Sequence, residues 1–396
     1  MNSKKNIVFF ISSFGHGKGG HFHSLSTISR ELEKENNVVV ISVGPTYSET
    51  IQSAPCNHKY HFKFSGVNFF SVFRRIDEQI KEIFPEDYIV HAFDEYSYLF
   101  SRMVASKNNK VSVLTKCGGP NPKRYYPFCD NILLFSCENM SWFRSKRVYG
   151  DSSISVVANR VQGVSSDEHR IGELKNRLGI NDCDLVILRV GRINESYRST
   201  IEQSIKLHDC LCSKGVPSKL IVVGVVQNAD VEKELRKSAD DGVYFVTDSE
   251  YTSNAKSLID IADVVVGTGR GLMEACSLKK IILCPNLDQE LPVLLTEENS
   301  RELADLNFSP RCKVSPETGS LDQLVEMLEC SEKRGLYSQF IYTFFRENFD
   351  VQTVPRKYVE FYSVANRASR GRWIDVIKNY LWFQYRVART LIGGAR

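Results

Sequence analysis

Val186-Ile187-Leu188-Arg189-Val190-Gly191-Arg192, with Arg198 six residues further on, is the stretch on which the reading of this chain turns. A run of apolar, largely β-branched residues that stops on glycine has the pattern of a buried strand ending in a tight turn. Two arginines follow, near the start of the next helical stretch. There the guanidinium groups of Arg192 and Arg198 can neutralise a diphosphate, each able to grip phosphate oxygens bidentately. The competing reading makes either one a surface arginine paired with Glu195.

Working outward, the same kind of run recurs. In the second half of the chain strands are expected over 185–190, 219–224, 243–246, 263–266 and 281–284. In the first half they are expected over 7–11, 38–43, 88–91, 110–115, 132–135 and 153–157. Amphipathic stretches lie between them; Phe22, Leu25, Ile28 and Leu32, at three- and four-residue spacing, make one apolar helical face. Repeated β-α alternation requires right-handed crossovers and a parallel sheet covered on both faces. The polar segment 162–170, with Gly163, Ser165, Ser166 and Asp167, reads as a linker, and after about residue 320 the pattern is helical to the end. The chain of 396 residues exceeds one ordinary core. Two α/β domains of Rossmann-like, doubly wound type are therefore expected, at 1–162 and 171–349, with C-terminal helices over 350–396.

Composition narrows the function. Hydrophobic residues make up 42% and charged residues 25%, the balance of a globular protein, and a net charge of +4 is too small to point to nucleic acid. The 11 cysteines show no CxxC pair and no zinc spacing, and Cys210 and Cys212 would point in different directions on a helix, so reduced thiols and no metal are expected. The chain enters its first strand without an apolar segment of signal-peptide type, and no run of about 18 apolar residues occurs. A cytoplasmic protein without a membrane-spanning helix is expected.

Ligands of doubly wound sheets bind beyond the carboxyl ends of the strands, which directs attention to a few turns. The first strand runs into Phe14-Gly15-His16-Gly17-Lys18-Gly19-Gly20. A glycine-rich strand-to-helix turn lets backbone amides approach phosphate, with Gly19 and Gly20 nearest the helix, although a turn needing positive φ explains it equally. It lacks both the GxGxxG spacing of dinucleotide folds and the GKS or GKT ending of a P-loop. The second such turn is Asp263-Val264-Val265-Val266-Gly267-Thr268-Gly269-Arg270-Gly271-Leu272-Met273-Glu274. Gly269, Arg270 and Gly271 offer anion contacts there, and Glu274 can accept from sugar hydroxyls or be an ordinary first-turn acid. Thr247 and Asp248, after the third strand of the second half, are candidates for the base. Lys116, before Cys117-Gly118-Gly119, is either a contributor to the site from the first domain or a surface lysine. His16, His21, His23 and His91 are possible bases, but the two-residue spacing of His21 and His23 does not suit a zinc site.

The segments 188–199 and 261–283 resemble the nucleotide-sugar-binding domain of family-four glycosyltransferases of the GT-B fold. In one a Gly-Arg ends a strand; in the other an Ala-Asp strand precedes a glycine loop and Glu-Ala. The first half fits more loosely, through its glycine loop, Val90-His91-Ala92-Phe93-Asp94 and Val157-Ala158-Asn159-Arg160-Val161. The resemblance implies two Rossmann-like domains facing across a cleft, a nucleotide-diphosphate-sugar donor, no cofactor, and a retaining transfer in which the leaving phosphate helps deprotonate the acceptor. It points to Arg192 for the donor diphosphate and Glu274 for the ribose. Two positions depart from it. Val266 stands eight residues before Glu274, where the family often has a second glutamate, and Tyr197-Arg198 replaces its usual lysine. Rivals are a nucleotide-sugar epimerase of the same architecture, which needs convergent acids, and a GT-B-like subunit that binds without catalysis.

From Arg367 onward Arg370, Arg372, Lys378, Arg386, Arg389 and Arg396 face a single acid, Asp375. Interleaved are Trp373, Ile374, Ile377, Tyr380, Leu381, Trp382, Phe383, Val387 and Leu391. Such a helix suits an anionic membrane surface, with the acceptor a glycan or lipid-linked glycan, and equally suits packing back onto the first domain.

Overall fold

The computed structural model describes residues 4–14, 19–122, 125–315, 317–367 and 373–393, without the side chains of residues 373 and 390–393. The chain divides into two compact units, Met1–Arg160 with Val351–Arg396, and Val161–Asp350.

The first unit is a sheet of seven strands, β1 (Asn6–Ser12), β2 (Asn37–Gly44), β3 (His58–Lys63), β4 (Ile89–Ala92), β5 (Val111–Lys116), β6 (Asn131–Leu134) and β7 (Ser153–Val156). Their spatial order is β3-β2-β1-β4-β5-β6-β7, and every pair is parallel. The order of strands reverses between β1 and β4, and that is where such sheets open to a ligand. Six strands coincide with the apolar runs. The seventh, β3, was not expected from the sequence: His58-Lys59-Tyr60-His61-Phe62-Lys63 is polar, and only Phe62 is fully buried. It is an edge strand with one partner, and the hydrophobic effect leaves little mark on it.

The second unit holds β8 (Leu185–Val190), β9 (Ser218–Val223), β10 (Val243–Val246), β11 (Val264–Val266), β12 (Ile281–Cys284) and the two-residue β13 (Val293–Leu294). Their order is β10-β9-β8-β11-β12-β13, parallel except for the last pair, and the reversal falls between β8 and β11. The segment read as a linker is irregular only in its first part. Asp167 caps the helix Glu168–Leu178 by accepting from the amide of Arg170 at 3.2 Å, and the whole segment belongs to the second unit.

The C-terminal helices belong to the first unit. Tyr358, Phe361 and Tyr362 of the helix Val354–Val364 join Phe22, Leu25 and Ile28 on one side of the sheet. Phe383 and Val387 of the helix Trp373–Gly393 are buried in the other core cluster, where the Phe383 ring stacks on Phe64 at 5.7 Å and meets Phe14 and Phe100 edge-on. For these two residues, read from sequence as facing either a membrane or the first domain, the second alternative holds: they are core residues, while Tyr380 and Trp382 are partly buried. The opposite face leaves Ile374, Ile377, Leu381 and Tyr385 exposed in one stripe, beside exposed Lys378, Arg386 and Arg389. Arg370, Arg372 and Arg396, and the side chains of Trp373 and Leu391, lie outside the described residues. Among the described residues no helix is long and apolar enough to cross a membrane.

Candidate functional site

In the second unit the two turns singled out by sequence emerge side by side, because β8 and β11 are neighbours, with Arg189 opposite Val266 in register. Gly191 follows β8 and is held against β9 by its N–H, which donates to the Val223 carbonyl at 3.0 Å. The strand ends press together so closely that a Cβ on Gly224 would come within 1.7 Å of the Gly191 carbonyl oxygen. Arg192 is exposed on this turn; its guanidinium lies 5.3 Å from the Tyr197 ring centroid and donates to the Tyr197 hydroxyl at 3.0 Å. A planar cation stacked on a phenol is preorganised, yet keeps donors for a ligand.

Arg198 opens the helix Arg198–Ser213, but it is ion-paired to Glu234 and lies 3.5 Å from Glu195. The expected pairing with Glu195 thus falls to Arg198, whereas Arg192 donates to a neutral hydroxyl.

After β11, Gly269 caps the helix Arg270–Ser277 at φ 59°, a left-handed conformation that favours glycine. Nothing would meet a side chain at Gly271, so that position is open space. Glu274 is buried one turn into the helix, and its Oε1 accepts from Arg270 Nε at 2.8 Å. Arg270, expected as an anion contact, therefore has a carboxylate partner of its own. Thr247 and Asp248 follow β10, and Asp248 pairs with Arg177 at 2.6 Å. Val266, the last residue of β11, is wholly buried.

In the first unit Gly19 caps the helix Gly20–Glu33, while Gly15, His16, Gly17 and Lys18 of the same turn lie outside the described residues. A side chain at Gly19 would collide with the His21 ring at 2.8 Å. His21 sits beside Asp94, and burial lowers its imidazole below the usual value against the opposing pull of that carboxylate. Asp94 accepts from the amides of Ser12, Tyr96 and Ser97 at 2.7–2.9 Å, which fastens the end of β1 to the helix Glu95–Asn108. Glu95, next in sequence, is pushed up to about 7 by desolvation, against the attraction of Lys116 and Arg386. Lys116 ends β5 and donates from Nζ to the Gly118 carbonyl at 2.7 Å. His91 is not available as a base: both ring nitrogens are engaged, with Tyr362 at 2.7 Å and Thr115 at 2.6 Å, and burial drives its pKa down to about 3.

Sequence reasoning passed over Arg189, a guanidinium inside β8 with 1% exposure. The signal was an arginine in the middle of an otherwise apolar strand. Glu95 directly follows the stretch Val90–Asp94, and no local pattern announces its shifted ionisation.

The fold these units define is that of the GT-B glycosyltransferases, two Rossmann-like domains in one chain. Among solved structures it is similar to a glycosyltransferase from Rickettsia africae (TM-score 0.66, 14% identity, 91% of this chain and 98% of that one). It is also similar to Anabaena Alr3699/HepE in complex with UDP (TM-score 0.63, 14% identity, 90% and 99% covered). A third likeness is to a Listeria monocytogenes protein assigned as a UDP-N-acetylglucosamine 2-epimerase (TM-score 0.52, 10% identity, 90% and 95% covered). No protein-family model and no curated protein matches the sequence. At such identities the likeness is one of fold.

Proposed function

We propose that the chain is a glycosyltransferase that takes a sugar from a nucleoside-diphosphate donor and passes it, with retention, to a glycan or lipid-linked acceptor in cell-surface polysaccharide synthesis. The observation that carries this reading is the pair of glycine-containing turns at the β8/β11 reversal, with Arg192 exposed on one and Glu274 held behind the other. Breaking a sugar–diphosphate bond requires stabilisation of the departing charge more than a dedicated nucleophile. Arg192 and the amides around Gly269, Arg270 and Gly271 supply it, and Arg198 adds to it once drawn from Glu234. Glu274, oriented by Arg270, has a second carboxylate oxygen for a ribose hydroxyl; Thr247 and Asp248 flank the base. In the transfer the acceptor oxygen bonds to the anomeric carbon, the carbon–phosphate oxygen bond breaks, and the acceptor proton goes to the departing phosphate. In the first unit, Gly19 and Gly20 are the donor-binding candidates and Lys116 the catalytic one.

The exposed stripe Ile374, Ile377, Leu381 and Tyr385, with Lys378, Arg386 and Arg389 around it, supports peripheral binding to the cytoplasmic face of an anionic membrane, where a lipid-linked acceptor resides. A second reading draws on the buried, apolar Val266: a protein that binds the donor without turning it over. The complex of the Anabaena protein makes UDP the first probe. Thermal stabilisation by a panel of nucleotide sugars identifies the donor, a ligand at a hundred times its Kd adding about 2.7 kcal/mol. Incubation of that labelled donor with acceptor extracts then distinguishes the readings. Labelled glycan or glycolipid supports transfer; an epimerised nucleotide sugar, or binding with no product, refutes it.

A further inference from the structure

Arg189 is a buried cation without an anion. Its Nη1 donates to the Val190 carbonyl at 2.6 Å and its Nη2 to the Thr200 hydroxyl at 2.9 Å, both neutral acceptors. Its Nε has no hydrogen-bond partner, and among the described residues no Asp or Glu pairs with it. Burial lowers its pKa to about 10, so it stays charged at neutral pH. A charge taken out of water is retained at a cost of several kcal/mol unless something of opposite sign faces it, and an apolar residue of similar volume is commonly the more stable choice. The protein tolerates this one at a particular place. Arg189 lies in β8 opposite Val266 of β11, at the reversal of strand order, where these sheets open to anionic ligands.

The surroundings are shaped to the guanidinium. A Cβ on Gly191 would stand 3.1 Å from its Nη1, and one on Gly267 would stand 3.9 Å from the same atom. Both turns that emerge from the two central strands thus carry glycine where they pass the buried cation; Gly191 lies directly against it, whereas a Cβ on Gly267 would meet the Leu272 side chain first, at 3.1 Å. Thr200, which receives Nη2, lies in the first turn of the helix Arg198–Ser213. The cation therefore connects the β8 turn and the start of that helix, and approaches the β11 turn.

We infer that Arg189 is a positioning residue for the diphosphate: a fixed positive charge beneath the turns of Gly191 and Gly267 that favours a diphosphate over the less charged monophosphate without touching it. This rests on the reading of the second unit as a nucleoside-diphosphate site. The charge sits where a mobile cation is not needed and water cannot screen it. Among the four arginines near these turns, Arg198 and Arg270 are paired with carboxylates, whereas Arg189 and Arg192 contribute net charge.

The test compares UDP, UMP and inorganic pyrophosphate by calorimetry on the full chain and on Arg189→Met, with melting curves of the ligand-free proteins. A unit charge about 7 Å away in a medium of effective dielectric about 20 changes affinity roughly fiftyfold per unit of ligand charge. Arg189→Met is expected to lose at least about fiftyfold in UDP affinity, to lose less for UMP, and to melt no lower than the parent. A variant that melts lower while keeping the parent's UDP-to-UMP ratio shows a structural residue and overturns the inference. If the parent itself binds neither UDP nor pyrophosphate, the proposed function fails instead. Should Arg189→Met not fold, the parent decides through the Nε–H nuclear magnetic resonance signal of Arg189, assigned by its loss in Arg189→Lys. The signal is expected to shift on adding pyrophosphate and to stay unmoved with uridine; no shift with pyrophosphate overturns the inference.

Discussion

Replacing Glu95 by Gln is expected to stabilise the protein above neutral pH and to leave it unchanged in acid. Glu95 begins the helix Glu95–Asn108, beside Asp94, and faces Lys116 and Arg386. Desolvation outweighs the two cations and raises its pKa from 4.5 to about 7. An acid whose folded pKa lies above its unfolded value favours the native state while protonated. That stability is present in full below about 4.5 and is lost as pH rises through 7. A shift of this size at 1.36 kcal/mol per pH unit corresponds to roughly 3 kcal/mol, and partial screening at a partly buried site reduces it to about 1.5–3 kcal/mol. For a unit of about two hundred residues this is a rise of roughly 3–12 °C in Tm. Melting curves of parent and Glu95→Gln at several pH values between 4 and 9 measure it. The variant should melt higher at pH 8, with the gap closing through pH 7 and absent near pH 4. A gap of constant size, or a variant that melts lower at pH 8, refutes the reasoning.

Arg192→Ala should weaken nucleoside-diphosphate binding and lower turnover at least about a hundredfold, roughly 3 kcal/mol, with only partial rescue by Arg192→Lys; calorimetry showing equal affinity removes Arg192 from the site. Glu274→Gln should impair donor binding while the melting curve stays close to the parent's, and a collapsed fold with donor affinity intact in the surviving fraction makes the residue structural. Leu381→Glu with Ile377→Glu should release the protein from anionic vesicles in a flotation assay without changing Tm, whereas Phe383→Ala should lower stability by about 3–5 kcal/mol. Continued flotation of the double variant excludes the membrane role of that face.

The strands were legible wherever they are covered on both faces, because continuous Val and Ile runs such as 38–43 and 185–190 leave no other economical reading. β3 escaped because an edge strand with one buried side chain carries almost no hydrophobic signal. The turns after β8 and β11 could be read from Gly-Arg and Gly-Thr-Gly, since glycine is demanded there by close backbone approach and by a positive φ. Their electrostatics could not. Whether Arg198 meets Glu234 and Arg270 meets Glu274 depends on side chains brought together by folding; the first pair is 36 residues apart in sequence. The C-terminal helix shows the same limit, since an amphipathic pattern reports that two faces differ without saying what covers the apolar one. Phe383 and Val387 are claimed by the core and Leu381 is not.

The first unit is discontinuous, with its last helix contributed by residues made after the whole of the second unit. During synthesis the aromatic cavity formed by Phe64, Phe69 and Phe100 stands open until Phe383 leaves the ribosome, at which point about two hundred residues of the second unit have already emerged. The second unit can complete its core as a contiguous piece, whereas the first must wait for its own ends to meet across it. The nascent first unit accordingly presents sticky aromatic surface for most of its translation, and a chain that loses its final helix keeps that surface permanently, as a client for chaperones rather than a shortened native protein.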